Sequence, residues 1–170
     1  MKKIDLARHA PPGIKLEWEK QFFVVGWVGS ALVSLGFPVK YFNLYSDLYF
    51  YSAPGVRELD VTRVMPDFYE ILGGCLRFYI IFAVCMLLLI VYHYAFHYLG
   101  SKSIYTMRRL PNKWELHRRC LTLPIASALI LLISAAVTLL LWFGIYMLCT
   151  PEQCLMPDQW TKLWEAILHA

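Results

Sequence analysis

Charged residues are scarce in this chain and are missing altogether from three long stretches. Only 16% of the 170 residues are Asp, Glu, Lys or Arg, and 59% are hydrophobic, whereas about a quarter of a soluble domain is charged. The uncharged stretches are Phe22–Val39, Phe78–Leu99 and Cys120–Cys149. Because a helix needs about 20 apolar residues to cross a bilayer, the pattern excludes an ordinary soluble domain and predicts three membrane-spanning helices.

Patterns typical of catalysis and cofactor binding are also missing. The sequence has no glycine-rich loop of the kind that cradles a phosphate, so we do not expect the chain to hydrolyse ATP itself. Its five cysteines have no spacing typical of a metal site. We therefore predict no catalytic residues, no cofactor, no metal ligands and no enzymatic activity for this chain.

Two histidines in the second uncharged stretch are the nearest approach to a ligand pair. His93 and His97 are four residues apart and face the same side of a helix, a spacing at which they could hold a metal or haem iron. Tyrosines surround them, as in the aromatic belt at a membrane interface. This context favours anchoring at the interface or a hydrogen bond to a neighbouring helix, with a haem-holding anchor of a redox enzyme as a weaker alternative.

The distribution of Lys and Arg predicts how the chain crosses the membrane. The first twenty residues and the segment Ser101–Arg119 are rich in Lys and Arg, whereas Asn43–Glu70 and the tail after Cys149 are not. Short loops rich in these residues stay in the cytoplasm. We therefore predict a multi-pass protein of the bacterial cell membrane, with its N-terminus in the cytoplasm and its C-terminus outside.

The predicted fold is an all-α integral membrane protein that forms a single membrane domain over residues 1–170. It has three transmembrane helices together with N-terminal, cytoplasmic and C-terminal interfacial helices. The expected segments are spans at about 22–39, 78–99 and 122–147, an outer loop at 40–77, a cytoplasmic loop at 100–119 and an outer amphipathic tail at 157–169.

The basic cytoplasmic loop contains two predicted helices separated by a proline. The first runs from Ser103 to Leu110 and is stopped by Pro111. The second begins at Asn112, which with Glu115 three residues later has the pattern of a capping box, and it continues into the third span. Pro124, one turn inside that span, is expected to kink or adjust the helix.

This loop carries a family resemblance. The stretch SIYTMRRLPNKWELHRRCLTLPI resembles the coupling-helix region in the N-terminal half of type-2 ABC exporter permeases, with Leu110 and Pro111 at the end of the coupling helix. The resemblance implies a membrane subunit of an ABC-type export complex that couples a separate ATPase to substrate movement. The implied ATPase contacts are Ser103, Ile104, Tyr105, Met107, Arg108 and Arg109. An N-terminal elbow helix would include Ile14, Trp18 and Phe22.

The resemblance also implies partners. A permease of that family has more spanning helices than this chain, so a second membrane subunit is expected beside the ATP-binding subunit. Membrane lipid is the other expected partner, and no nucleic acid is expected, because the inner leaflet accounts for the basic residues. The alternative function is a non-transporting accessory or regulatory subunit of a larger membrane complex.

Three smaller patterns complete the predictions. Cys149 and Cys154, on the predicted outer face, could form a disulfide. Small residues recur every four positions in the first span, which favours close packing within the chain over a subunit interface; they are Gly26, Ser30 and Ser34. In the tail, an apolar stripe has the spacing of an amphipathic helix; it comprises Trp160, Leu163, Trp164, Ile167 and Leu168.

Overall fold

The computed structural model describes residues 16–53, 56–99 and 114–169, and most of them are helical. In chain order the elements are α1 Leu16–Ser34, α2 Gly36–Asp47, β1 Tyr49–Ala53, β2 Val56–Leu59, α3 Phe68–Leu72, α4 Arg77–Leu99, α5 Trp114–Cys149 and α6 Gln159–His169, with a 3-10 turn at Glu152–Cys154. Three helical stretches are long and apolar enough to cross a membrane: Glu17–Asp47, Arg77–Phe96 and His117–Cys149. The prediction of a mostly helical membrane protein with three spans is confirmed.

The first span is longer than predicted and is interrupted once. The predicted span ends at residue 39, but helix α2 continues to Asp47. The interruption falls at Leu35, between α1 and α2. Pro38, four residues after Ser34, has no N–H to give to the Ser34 carbonyl and its ring crowds that carbonyl, which explains why the helix restarts there.

Helix α1 also begins before the predicted span. It is continuous from Leu16 to Ser34, so Trp18 and Phe22 belong to the same helix as the first span and not to a separate elbow helix. Ile14, the third residue predicted for that elbow, lies outside the described residues. Trp18 is 72% exposed, and its neighbour Glu19 faces the protein instead.

The predicted outer loop at 40–77 contains regular structure. After α2 comes an antiparallel hairpin in which Tyr49 pairs with Leu59 and Phe50 with Glu58. Aromatic residues such as Tyr49 and Phe50 favour strands. Both strands are too short to span a membrane. The hairpin departs from the all-α prediction, and α3 is a short helix within the segment that was predicted to be a loop.

The chain divides into two compact units, and the first contains most of α1, nearly all of α4 and the first part of α5. It consists of the described part of Met1–Ser30 together with Phe78–Ala135. Gly26 lies so close to the Phe82 ring that a Cβ on residue 26 would be 2.5 Å from Phe82 Cδ1. Ser30, one turn later, is fully buried and donates its hydroxyl to the Gly26 carbonyl at 2.7 Å. These two small residues pack within the chain, as predicted.

The second unit consists of Ala31–Arg77 and Ala136–Ala170 and has an aromatic core. The rings of Phe37 and Phe68 lie 5.4 Å apart, and Tyr146 lies 5.5 Å from Phe68. The two tyrosine hydroxyls in this core have hydrogen-bond partners. The Tyr146 hydroxyl donates to the Pro66 carbonyl at 2.9 Å, and the Tyr41 hydroxyl is hydrogen-bonded to the Thr150 hydroxyl at 3.1 Å. Helices α2, α3 and the end of α5 are held together by these contacts.

Helix α6 confirms the predicted tail helix and is attached to this core by a polar cluster. The Gln159 side-chain oxygen accepts the backbone N–H of Phe68 at 2.9 Å, which is the cap that Asp67 does not provide itself. The Asp67 carboxylate accepts from Gln159 Nε2 at 2.8 Å and from Lys162 Nζ at 2.9 Å. Burial raises the pKa of Asp67, but the hydrogen bonds from Lys162 and Gln159 outweigh it, so the pKa is below its ordinary value.

The apolar stripe of α6 is divided between the core and the outside. Leu163 is buried in the core of the second unit, whereas Trp160, Trp164 and Leu168 are more than half exposed. The Trp160 ring packs edge-on against Phe143 of α5 at 5.3 Å. The side chain of Ile167, the fifth member of the stripe, lies outside the described residues.

Candidate functional site

The residues predicted to contact an ATPase lie outside the described part of the chain. They are Ser103, Ile104, Tyr105, Met107, Arg108 and Arg109, all within residues 100–113. The structure does describe both stems of this basic loop, namely the end of α4 up to Leu99 and the beginning of α5 from Trp114. As predicted, α5 runs without interruption from this loop into the third span.

The two stems are joined to each other close to the loop. The Tyr94 hydroxyl of α4 is hydrogen-bonded to His117 Nδ1 of α5 at 2.6 Å, and the two rings are 5.6 Å apart. Trp114, the first residue of α5, places its ring 5.9 Å from that of His117. Tyr94 and His117 therefore connect the two helices that enter and leave the loop.

A second connection lies one turn deeper and depends on a proline. Pro124 is inside α5 and its side chain is fully buried. Because proline has no N–H, the carbonyl four residues earlier, that of Cys120, has no helical donor. His93 Nδ1 of α4 lies 3.3 Å from that oxygen, and since a carbonyl oxygen only accepts, Nδ1 carries the hydrogen.

The other ring nitrogen of His93 faces a carboxylate from a third helix. Nε2 lies 3.6 Å from Glu19 Oε2 of α1, with side chains that are 2% and 9% exposed respectively. Both carboxylate oxygens of Glu19 are buried and have no hydrogen-bond partner among the residues that the structure describes. Glu19, His93 and the Cys120 carbonyl thus bring α1, α4 and α5 together; we call these three groups the stem cluster.

Sequence reasoning missed Glu19 and only partly recognised His93. Glu19 precedes the first uncharged stretch and belongs to the charged N-terminal segment, so the sequence predicts no carboxylate within the packed helices. The expected hydrogen bond from the histidine pair to a neighbouring helix is present at His93. Pro124 was the available signal, because it identifies the Cys120 carbonyl as the group that needs an outside donor.

The geometry of His93 bears on the metal and haem alternatives. Both of its ring nitrogens already face protein groups, and the ring is almost fully buried. Within residues 16–53, 56–99 and 114–169, no three His, Cys, Asp or Glu side chains come together as a metal site would require. The side chain of His97 lies outside the described residues. His93 is therefore better explained as a link between helices than as an iron ligand.

The predicted disulfide pair lies at the end of α5. Cys149, the last residue of α5, is exposed, whereas Cys154 is fully buried in the core of the second unit, and both are free thiols in the structure. The Cys154 carbonyl accepts the backbone N–H of Met65 at 2.9 Å. The buried Cys154 thus helps to hold residue 65 in place, and its pairing with Cys149 stays a prediction.

The described architecture is that of a multi-pass α-helical membrane protein with a packed polar cluster among its helices. Comparison with protein families, with curated proteins and with solved structures finds no match to this chain.

Proposed function

We propose that this chain is a membrane subunit of an ABC-type export complex, in which the loop between α4 and α5 contacts a separate ATPase. The observation that carries the proposal is the junction of the two loop stems, where Tyr94 is hydrogen-bonded to His117 and His93 to the Cys120 carbonyl. A loop that receives mechanical force must be attached to both of its helices firmly enough to move them together. These two hydrogen bonds supply that attachment directly beneath the loop.

The helices themselves suit the transmission of movement. Helix α4 has 23 residues and α5 has 36, so at 1.5 Å per residue they are about 35 Å and about 54 Å long. Each continues past its candidate span toward the loop, α4 by three residues and α5 by three. A displacement of the loop would therefore be carried along continuous helices and would not be absorbed by flexible connections.

A second membrane subunit is part of the proposal. In the three candidate spans only 11–22% of the most apolar window is buried within this chain. Residues such as Ile133, Val137 and Leu140 of α5 are more than half exposed. Their side chains require lipid or another membrane protein around them, and we propose that another subunit covers part of this surface.

Co-purification tests the proposal. The full-length chain, extracted from its native membrane in mild detergent, should bring down a nucleotide-binding subunit. Tyr105→Ala or Arg108→Glu should reduce the recovered ATPase at least tenfold, as expected for the loss of about 2 kcal/mol at an interface hot spot, while membrane insertion is retained. Replacing Arg118 and Arg119, which lie on α5 past the loop, with Gln is the matched control.

Two outcomes would contradict the proposal. If the chain is recovered with other membrane proteins but with no ATPase, the accessory-subunit alternative replaces it. If ATPase recovery falls equally in the loop variants and in the Arg118 and Arg119 control, the total positive charge near the lipid is responsible and not a specific contact.

A further inference from the structure

The Glu19 carboxylate is in an environment that an isolated negative charge could not tolerate. Both of its oxygens are buried without a hydrogen-bond donor from the described part of the chain, and an ionised carboxylate without a partner is very costly to bury. The structure places His93 Nε2 in ion-pair range, at 3.6 Å. The charge state of this pair therefore decides whether the packing of α1 against α4 is favourable.

Hydrogen-bond chemistry fixes how many protons the pair must hold. Because Nδ1 of His93 donates to the Cys120 carbonyl, Nε2 of a neutral ring presents a lone pair toward Glu19. If Glu19 were ionised at the same time, two lone pairs would face each other and a negative charge would be uncompensated. One proton, either on Nε2 or on the carboxyl group, removes both problems and leaves the pair neutral overall.

We propose that Glu19 and His93 form a buried binding site for a single proton, which joins α1 to α4 while the proton is bound. Release of the proton is a transfer from Nε2 or from the carboxyl oxygen to water, and no group is oxidised or reduced. The remaining carboxylate and imidazole then repel each other, and the contact of α1 with α4 is weakened. The site responds to pH whether or not the chain serves in export.

Other titratable groups lie on the three elements that meet at this site. On α1, Glu17 and Lys20 are exposed to either side of Glu19. On α4 and α5 the neighbouring groups are the exposed Tyr92, the Tyr94 hydroxyl bound to His117, the exposed Arg118, the half-buried Arg119 and the buried Cys120 thiol. Any of these could add its own pH dependence, so the test compares variants that differ at one position.

Proton linkage gives the expected size and sign of the effect. An exposed carboxyl group and an exposed imidazole are both unprotonated above about pH 6.5, whereas the folded pair, by this proposal, still holds one proton. Stability must then fall as pH rises, and the unfolding equilibrium constant should increase by about tenfold per pH unit until the folded site also releases its proton.

The experiment measures unfolding of the full chain in mild detergent between pH 7 and 8.5 for three proteins. Glu19→Gln should abolish the part of the slope that comes from the pair, since the carboxamide can face Nε2 without a shared proton. Glu17→Gln makes the same chemical change at an exposed position two residues away and should keep the slope of the original chain. Equal slopes in all three proteins, or no slope in the original chain, would overturn the proposal.

A measurement on the unaltered chain decides the matter even if Glu19→Gln does not fold. At pH 8, where exposed carboxyls and imidazoles are deprotonated, the bound proton should be visible in one of two forms. It appears either as an imidazolium ¹⁵N signal of His93 or as the infrared band of a protonated carboxyl group. If both signals are absent at pH 8, no proton is bound and the proposal fails.

Discussion

The hydrogen bond between His93 and the Cys120 carbonyl exists because Pro124 withholds the normal helical donor, and this cause can be tested by restoring that donor. Pro124→Ala returns an N–H to position 124, which can then donate to the Cys120 carbonyl within α5. In this background His93→Ala should cost less than it does in the original chain. In the original chain His93→Ala leaves the buried Cys120 carbonyl without a hydrogen-bond donor, which should cost about 1–3 kcal/mol of stability.

A double-mutant cycle isolates this one interaction. His93→Ala also removes the partner of Glu19, and Pro124→Ala also removes the proline ring. Each of these effects is present on both sides of the cycle and cancels, so the coupling energy reports the interaction at the Cys120 carbonyl. We expect a coupling energy of about 1 kcal/mol, the net value of a hydrogen bond, which in a chain of this size is a difference of about 3 °C in the unfolding midpoint. Thermal unfolding in mild detergent, followed for all four proteins, measures it.

His117→Ala provides the control for the cycle. His117 also joins α5 to α4, but its partner is the Tyr94 hydroxyl and not the carbonyl released by Pro124. Its effect should add to that of Pro124→Ala within about 0.5 kcal/mol. If His93→Ala is additive with Pro124→Ala to the same extent, the proline is not the reason for the His93 contact and the explanation of the stem cluster is wrong.

Two further predictions concern packing in the first unit and charge in the second. Gly26→Ala should destabilise the chain by about 1–3 kcal/mol, because its Cβ would be 2.5 Å from the Phe82 ring. Gly29→Ala, where no atom of the described residues would lie within 4 Å of the new Cβ, should cost nothing in the same unfolding assay. The lowered pKa of Asp67 should make α6 docking contribute stability above about pH 4 and lose it as pH falls through the lowered pKa. Asp67→Asn should remove that acid-dependent part, and an unchanged acid profile would contradict this assignment.

The membrane helices could be predicted because the evidence for each one, a continuous stretch without charged residues, is local in the sequence. The absence of charge in Phe78–Leu99 predicts a span wherever its neighbours lie, and α4 agrees with it to within one residue at its start. The tail helix is similarly local, because the stripe from Trp160 to Leu168 repeats with the helical period. Local spacing, however, did not reveal that Leu163 would be buried in the core while Trp160 and Trp164 stay half exposed.

The stem cluster could be predicted only in part, because its members come from three distant positions in the chain. Pro124 identifies the Cys120 carbonyl as a group in need of a donor, and that inference requires no structure. Which side chain would supply the hydrogen depends on how α4 packs against α5, and which carboxylate would reach His93 depends on the packing of α1. A charged residue such as Glu19 at the edge of an apolar stretch looks like the end of a span, and only the packing shows that it is buried.

Photo-crosslinking from inside the loop between α4 and α5 can show whether an ATPase contacts this loop, as we propose. A photoreactive amino acid would replace Tyr105 in the full chain in its native membrane, and mass spectrometry would identify what it captures. We expect a crosslink to a nucleotide-binding protein, and its yield should fall when Arg108→Glu is added. The crosslink should be absent when the probe replaces the exposed Tyr69 of α3. Crosslinks only to lipid from position 105, or the same protein captured from position 69, would contradict the proposal.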